Sequence, residues 1–496
     1  MSGKIFSSDS FGNKIEIECK ITRGLPAVQI VGLASKALDE SKERIRAAFH
    51  SAKIDFPKGR VLISLSPADL PKDGSSFDLP ISIAILQASE IIRPLKGDIF
   101  ATGELALDGR VSPVRGVIGR LSSKDLDSCV AYLIPSAHSS QASLTGRANV
   151  ICISSLRELI DILLGAKQPS YTAPHEIVTS NTVDTSFSEV RGQLIAKRAL
   201  EIAAAGRHNI LLHGPPGTGK SMLSKALASI LPDLSLDEVL QSTHLHSLRD
   251  NRYDLLVVRP PVRAPHHSAS DISILGGGQK ARPGEVSLAH NGILFLDEML
   301  EFSRSCIEAL RQPLEDNEIH ISRAEQSYTY PASFILIATM NPCPCGNLGS
   351  SKECSCLPHS IAQYQKKLSG PIVDRIDLFV KVEEVPVSLL MTSSVEEPGD
   401  KVRERVALAR KRQSERNPGG KLNHRLTNSD LRKLDLDNDA KQLLDTAADR
   451  LKLSPRAYFR VLKVARTIAD LDSRKSIDKE AVAESLQFRQ NLPTSS

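Results

Sequence analysis

Long apolar runs are missing from this 496-residue chain. No stretch approaches the roughly 18 consecutive apolar residues that a membrane-spanning helix needs, so no membrane partner is expected. The opening segment, MSGKIFSSDSFGNKIEIE, has no basic region followed by an apolar core, which predicts a cytoplasmic chain without an export signal. Cysteine is scarce, with eight residues unevenly spread; this argues against a disulfide framework and for a reducing compartment. An excess of either charge is also lacking. The formal net charge of +5 is small for this length, and it permits nucleic-acid binding without predicting it. No internal repeat or low-complexity tract is present. With 41% apolar and 24% charged residues, the composition is that of an ordinary globular protein, and the length exceeds what one hydrophobic core of at most about 300 residues accommodates.

Two α/β regions follow one another. From Ile15 to about Ala166, short apolar strands such as KIEIECKI, AVQIVG, GRVLISLSP, CVAYLIP and NVICIS alternate with helical stretches such as ESKERIRAAFHSA. Residues 1–168 are therefore expected as one domain. The Ser-, Thr- and Pro-rich segment 169–187 reads as a linker. A second α/β region covers 188–390, and the remainder, 391–496, has the three-to-four apolar period of helices. Ser454 as N-cap with Pro455 at the first helical position predicts the start of one of them.

The strongest local signal is HNILLHGPPGTGKSMLSKALASIL. An apolar strand enters the turn Gly214-Pro215-Pro216-Gly217-Thr218-Gly219-Lys220-Ser221, and a helix leaves it. Glycines there let backbone N–H groups close around phosphate oxygens, the helix N-terminus adds partial positive charge, Lys220 reaches the β and γ phosphates, and Ser221 can ligate Mg²⁺. ATP and Mg²⁺ are thus the expected cofactors. A second apolar strand, NGILFLDE, ends in Asp297 and Glu298. One acid can hold Mg²⁺ while the other orients or deprotonates the attacking water. A third, FILIATMN, ends in Asn341, whose amide can position that water.

These stretches, together with RGQLIAKRALEIAAAGRHN, RAPHHSAS, SGPIVDRIDL and RAYFRVLKVARTIADL, resemble the magnesium-chelatase-like group of AAA+ ATPases, and their ordered set resembles the ComM/YifB family. The resemblance implies an AAA+ P-loop core with a parallel sheet, a C-terminal helical lid and a homo-hexameric ring. It also implies that Gln193 belongs to the nucleotide site, that Arg375 is the arginine finger offered to a neighbouring subunit, and that Arg456 is the second sensor. Either guanidinium would offset charge developing on the γ-phosphoryl group.

Two further stretches read as hairpins. SILGGGQKARPGE carries Lys280 and Arg282 at a glycine-rich tip, and EIHISRAEQSYTYPAS carries Arg323. In a ring such tips are expected to face the pore, where cations track a phosphate backbone without reading its sequence. Arg263, His266 and His267 read as hydrogen-bonding or phosphate-contacting residues, because adjacent histidines seldom point at one ion. Cys343, Cys345, Cys354 and Cys356 form two C-x-C pairs eight residues apart. Four thiolates within reach of one point suit a structural tetrahedral Zn²⁺, with His359 a substitute ligand; reduced free thiols or a disulfide are the other readings.

The N-terminal region, through SPADLPKDGSSFDLPISIAIL and GELALDGRVSPVRGV, resembles the Lon-protease fold. Ser76 falls where that fold's nucleophile is expected, but Ile118 stands at the lysine position and Phe77-Asp78 replace the usual small residues. This domain is accordingly expected to be non-proteolytic, with Lys72 and Lys124 as the remaining candidate bases. The resemblance to the ComM/YifB family implies an ATP-driven DNA translocase or helicase that promotes branch migration when single-stranded DNA is integrated during natural transformation, with recombination proteins as further partners. A magnesium-chelatase motor subunit, an ATP-dependent protease and a nucleotide-bound scaffold are the competing readings.

Overall fold

The structure is a computed structural model describing residues 2–32, 36–68, 70, 72, 74–93, 96–172, 186–249, 253–278, 281–322, 327–368, 370–385 and 396–490. The chain forms two compact units, Met1–Val178 with Ser235–Val257, and Thr179–Leu234 with Val258–Ser496. Most of the expected linker 169–187 lies outside the described residues. Its start does not, and it runs alongside a strand: Cys152 N–H donates to Ser170 O and Thr172 N–H to Val150 O, both at 3.0 Å.

Among the described residues the first unit has nine strands: β1 (Ser2–Ser8), β2 (Lys14–Thr22), β3 (Ala27–Val31), β4 (Arg60–Ser66), β5 (Asp98–Ala101), β6 (Glu104–Leu105), β7 (Val111–Ser112), β8 (Cys129–Pro135) and β9 (Val150–Ile153). Seven of them form a mixed sheet in the order β3-β4-β2-β1-β5-β8-β9, while β6 and β7 pair with each other. Strict alternation in β2 buries Ile15, Ile17 and Cys19 on one face. Opposite, β4 buries Val61, Ile63 and Leu65, with Ile17 paired to Leu65 and Cys19 to Ile63. That shared apolar face packs on the helix Asp78–Ala88, whose sequence DLPISIAILQA is buried along its whole length. A helix buried on every side, its apolar residues spread around its circumference, has no solvent face to offer and lies in this unit's core.

The second unit contains β10 (Ile210–His213), β11 (Val262–Arg263), β12 (Gly276–Gly277), β13 (Arg282–Pro283), β14 (Ile293–Leu296), β15 (Glu318–Ser322), β16 (Ser327–Pro331), β17 (Ile335–Met340) and β18 (Leu378–Lys381). Five strands form a wholly parallel sheet in the order β11-β14-β17-β10-β18. β10, β17 and β18 are apolar on both faces, as strands covered by helices must be. One core joins Ile210, Leu212, Ile337 and Val380 of the sheet to Val406, Val464 and Ile468 of the C-terminal helices Gly399–Arg416 and Pro455–Leu471. The latter helix is capped as expected: Ser454 Oγ accepts the Ala457 N–H at 3.2 Å with Pro455 in the first turn. The AAA+-like α/β core with a helical C-terminal region is therefore present. The two predicted hairpins are also there, as β12–β13 and β15–β16. Among the described residues no helix is long and apolar enough to cross a membrane.

Candidate active site

Parallel pairing brings the carboxyl ends of β14, β17 and β10 to one edge of the sheet, where ligands of open α/β sheets bind. The register aligns Leu212 with Thr339 and Leu296 with Ala338. Gly214, Asp297 and Asn341 therefore leave the sheet side by side. Gly214 passes so close to the chain leaving β18 that a Cβ would sit 2.1 Å from Val382 O. Gly217 and Gly219 adopt φ of +81° and +88°, which L side chains reach only under strain, and Gly219 delivers the chain into the helix Lys220–Ser229.

Lys220 is the hub. Its Nζ donates to Gly214 O and Pro215 O, each at 2.7 Å, and to Asn341 Oδ1 at 3.3 Å. Burial lowers its pKa, against the opposing pull of Asp297 and Glu298. Ser221 Oγ donates to Asp297 Oδ2 at 3.2 Å, so a hydroxyl and a carboxylate adjoin as the donors of a hard divalent cation do. Thr218 Oγ1 closes the loop on Pro215 O at 2.9 Å.

Thr339, a residue that strand patterning alone did not single out, holds Asp297 by its carboxylate and Glu298 by its backbone. Its Oγ1 donates to Asp297 Oδ1 at 2.6 Å and accepts the Glu298 N–H at 2.9 Å. Glu298 sits at φ +50°, ψ +51°, a left-handed conformation uncommon for glutamate; its side chain is exposed at the edge. Gln193 is also left-handed, at φ +53°, and its Nε2 donates to Glu383 O at 2.7 Å.

Arg375 and Arg456 are not brought to this edge. Both line a cavity of about 340 Å³ together with Arg207, Asn209, Asp377 and Arg460, and no residue of the phosphate loop lines it. Asn209 and Asp377 precede β10 and β18, so this cavity lies at the amino edge of the sheet, a strand's length or roughly 13 Å from the phosphate loop. Arg375 is held there on three sides: Nε donates to Arg311 O at 3.1 Å, Nη1 to Pro371 O at 2.7 Å, and Nη2 pairs with Glu315. Arg456 approaches the other Glu315 oxygen at 3.9 Å. Buried Asp377 stays ionised: burial pushes its carboxyl up, but Arg460 and His208 outweigh burial and hold it well below the usual range.

Immediately beyond Asn341, the Sγ atoms of Cys343, Cys345, Cys354 and Cys356 lie within 4.8 Å of one another. Cys343 is 3.4 Å from Cys345 and 3.7 Å from Cys354, and Cys345 is 3.6 Å from Cys354. These separations are too long for disulfides and match the roughly 3.8 Å edge of a tetrahedron with 2.3 Å metal–sulfur bonds. Backbone N–H groups of Cys345 and Leu348 point at Cys356 and Cys343 Sγ, both at 3.4 Å. The Cys345 thiol is drawn down to about 6, first by the Asn347 backbone N–H and then by Cys356. His359 is exposed and contacts Ser360; it is not among the clustered donors.

Of the predicted nucleic-acid contacts, Arg282 lies on β13 opposite Gly277, whereas Lys280 and Arg323 fall outside the described residues. Arg263 pairs with Glu285 at 2.6 Å, and the His266 and His267 rings stack 4.1 Å apart with His266 Nδ1 on Ser268 Oγ at 2.7 Å. In the first unit, Ser76 Oγ is buried without a hydrogen-bond partner among the described residues. Ile118 is buried in the core, buried Lys72 donates to Pro67 O, and Lys124 is exposed.

Comparison with known proteins agrees along the chain. Residues 186–390 match the family described as "Magnesium chelatase, subunit ChlI", residues 17–138 match "Subunit ChlI of Mg-chelatase", and residues 396–489 match "Magnesium chelatase, subunit ChlI C-terminal". The chain is 40% identical to the competence protein ComM of Haemophilus influenzae over 98% of its own length and 97% of that protein's. It is 39% identical to the uncharacterized protein YifB of Escherichia coli, over 96% and 94% of the two lengths. An uncharacterized protein of Mycobacterium tuberculosis is 41% identical over 97% and 96%.

Proposed function

This chain belongs to the ComM/YifB family of magnesium-chelatase-like ATPases, and from that premise we propose that it is an ATP-driven DNA translocase or helicase. It works in the cytoplasm as a homo-hexamer and promotes branch migration while single-stranded DNA is integrated during transformation or recombination. The observation that carries the ATPase part of the reading is the convergence of Lys220, Ser221, Asp297 and Asn341 at the carboxyl ends of three adjacent parallel strands; its DNA part rests on the likeness to the competence protein ComM. The phosphate loop from Gly214 to Ser221 and Gln193 bind the nucleotide, and Ser221 with Asp297 holds Mg²⁺. Glu298 activates the attacking water, Asn341 positions it, and Lys220 neutralises the terminal phosphates.

Arg375 and Arg456 complete the site of a neighbouring copy. Their position at the opposite edge of the sheet supports this, since neither contacts its own phosphate loop. Turnover then moves the hairpins carrying Lys280, Arg282 and Arg323 along a phosphate backbone, a motion that needs cations and no base readout. The four-cysteine loop holds Zn²⁺ as a structural ion, for which its donor set and spacing are suited. The N-terminal unit is non-proteolytic, a reading supported by Ile118 at the lysine position and by a Ser76 hydroxyl that has no hydrogen-bond partner among the described residues.

ATP hydrolysis by the full chain, measured with and without single-stranded DNA, tests the proposal. DNA should stimulate the wild type, and changing Lys280, Arg282 and Arg323 together to Ala should remove the stimulation while leaving basal turnover. Wild-type turnover indifferent to DNA would overturn the translocase reading. It would favour a magnesium-chelatase motor, the reading that the matched family names support.

A further inference from the structure

The four-cysteine loop does more than follow the catalytic strand; it lies against the phosphate loop. Gly346 is buried at φ +82°, and a Cβ built on it would sit 2.9 Å from Pro216 Cδ and 3.2 Å from Cγ. Its N–H donates to Cys343 O at 3.0 Å, so the turn that touches Pro216 spans the first C-x-C pair and closes at the residue after it. At the root of the same loop Asn341 Oδ1 accepts from Lys220, and Pro342 O accepts from Gln365 Nε2 at 3.1 Å. The loop therefore meets the phosphate-binding segment at two points, Pro216 and Lys220.

Little else fixes its shape. From Asn341 to Ser360 only Cys343 and Gly346 are buried, and Leu348 and Leu357 are exposed. A segment that buries so little apolar surface cannot offset the entropy of ordering its backbone by packing alone. A four-coordinate ion supplies the missing cross-links. Zn²⁺ prefers thiolates, needs no open coordination position here, and couples its binding free energy to local folding.

We propose that metal occupancy of the Cys343, Cys345, Cys354 and Cys356 site sets nucleotide affinity, because the metal-ordered loop props Pro216 and Lys220 in the geometry that receives phosphates. This rests on reading the glycine-rich turn as a nucleotide site and adds to it a linkage between two ligands. By reciprocity, nucleotide should slow the loss of metal.

The test uses the full chain and a fluorescent N-methylanthraniloyl derivative of ADP, titrated without turnover. Zinc is measured by plasma mass spectrometry and by release to a chromogenic chelator. Wild type should carry about one Zn²⁺ per chain. Cys354→Ser with Cys356→Ser should lose it and bind the fluorescent ADP roughly tenfold more weakly, the size of effect usual when support around a site is removed. Gly346→Ala keeps all four thiolates. It should retain the zinc yet weaken ADP comparably, because its methyl group displaces Pro216. A wild type that holds no zinc and takes none up would overturn the site. Unchanged ADP affinity in the metal-free double variant, or in zinc-loaded Gly346→Ala should the double variant fail to fold, would overturn the linkage. A wild type that binds zinc but no nucleotide would instead count against the ATPase reading itself.

Discussion

Thr339→Val is the sharpest probe of the hydrolytic edge. The side chain is fully buried, and valine keeps its shape while deleting the hydroxyl that donates to Asp297 Oδ1 at 2.6 Å and accepts from Glu298 N–H at 2.9 Å. A hydrogen bond to a charged group contributes about 1.5–3 kcal/mol. The second loss leaves the Glu298 N–H unpaired at a residue already held in the left-handed region, so Glu298 loses part of what fixes its direction. If the first term alone reappears in the barrier, at about 1.4 kcal/mol per decade of rate, kcat falls roughly 10- to 150-fold. KM should change much less, because Lys220 and the glycine turn keep their own contacts. Steady-state phosphate release with Mg-ATP measures the effect, fluorescent ADP binding checks that the nucleotide still docks, and Thr339→Ser should restore most of the rate by returning the hydroxyl. Turnover of the valine variant within about threefold of wild type would refute the assignment of Thr339 as the residue that positions both acids.

Other substitutions address the remaining parts. Glu298→Gln should leave nucleotide binding intact and lower turnover by at least about a hundredfold, read as stable nucleotide retention on a desalting column; brisk turnover would remove Glu298 from its role. Arg375→Ala and Lys220→Ala should each be inactive alone, yet mixing the two proteins should regain part of the activity, since some sites then pair an intact phosphate loop with an intact arginine from the neighbour. No recovery on mixing would place Arg375 in service of its own subunit. Acid should weaken the first unit through His138 and His244, whose pKa values burial lowers from 6.5 to about 4. In that window the unfolded chain binds more protons than the folded one, so stability is full above about pH 6.5 and falls as pH drops toward 4. At pH 5.5 each histidine then costs about 1.4 kcal/mol. Urea midpoints at pH 7.5 and 5.5 should differ accordingly, and identical midpoints would contradict the burial argument.

The nucleotide turn was legible because phosphate binding is a local demand: glycines, lysine and serine must stand at fixed offsets between one strand and one helix, whatever the rest of the chain does. The two C-x-C pairs, the strands ending in Asp297 and in Asn341, and both hairpins were readable for the same reason. Patterning did less well where pairing is distant. β1 has short polar flanks and reads as a strand only once it lies between β2 and β5. Ser235–Val257, which sequence order puts inside the ATPase stretch, belongs to the first compact unit, a grouping that only long-range contacts define. Thr339 is one apolar-strand residue among several until β17 aligns with β14 and sets it beside Asp297 and Glu298. Gly346 reads as a loop glycine until Pro216 fills the space where its side chain would be. Residue type and spacing thus determined which chemistry this chain can perform, since those are short-range constraints. The folded sheet alone decided which residues hold that chemistry in line, because parallel strands join partners that lie many tens of residues apart.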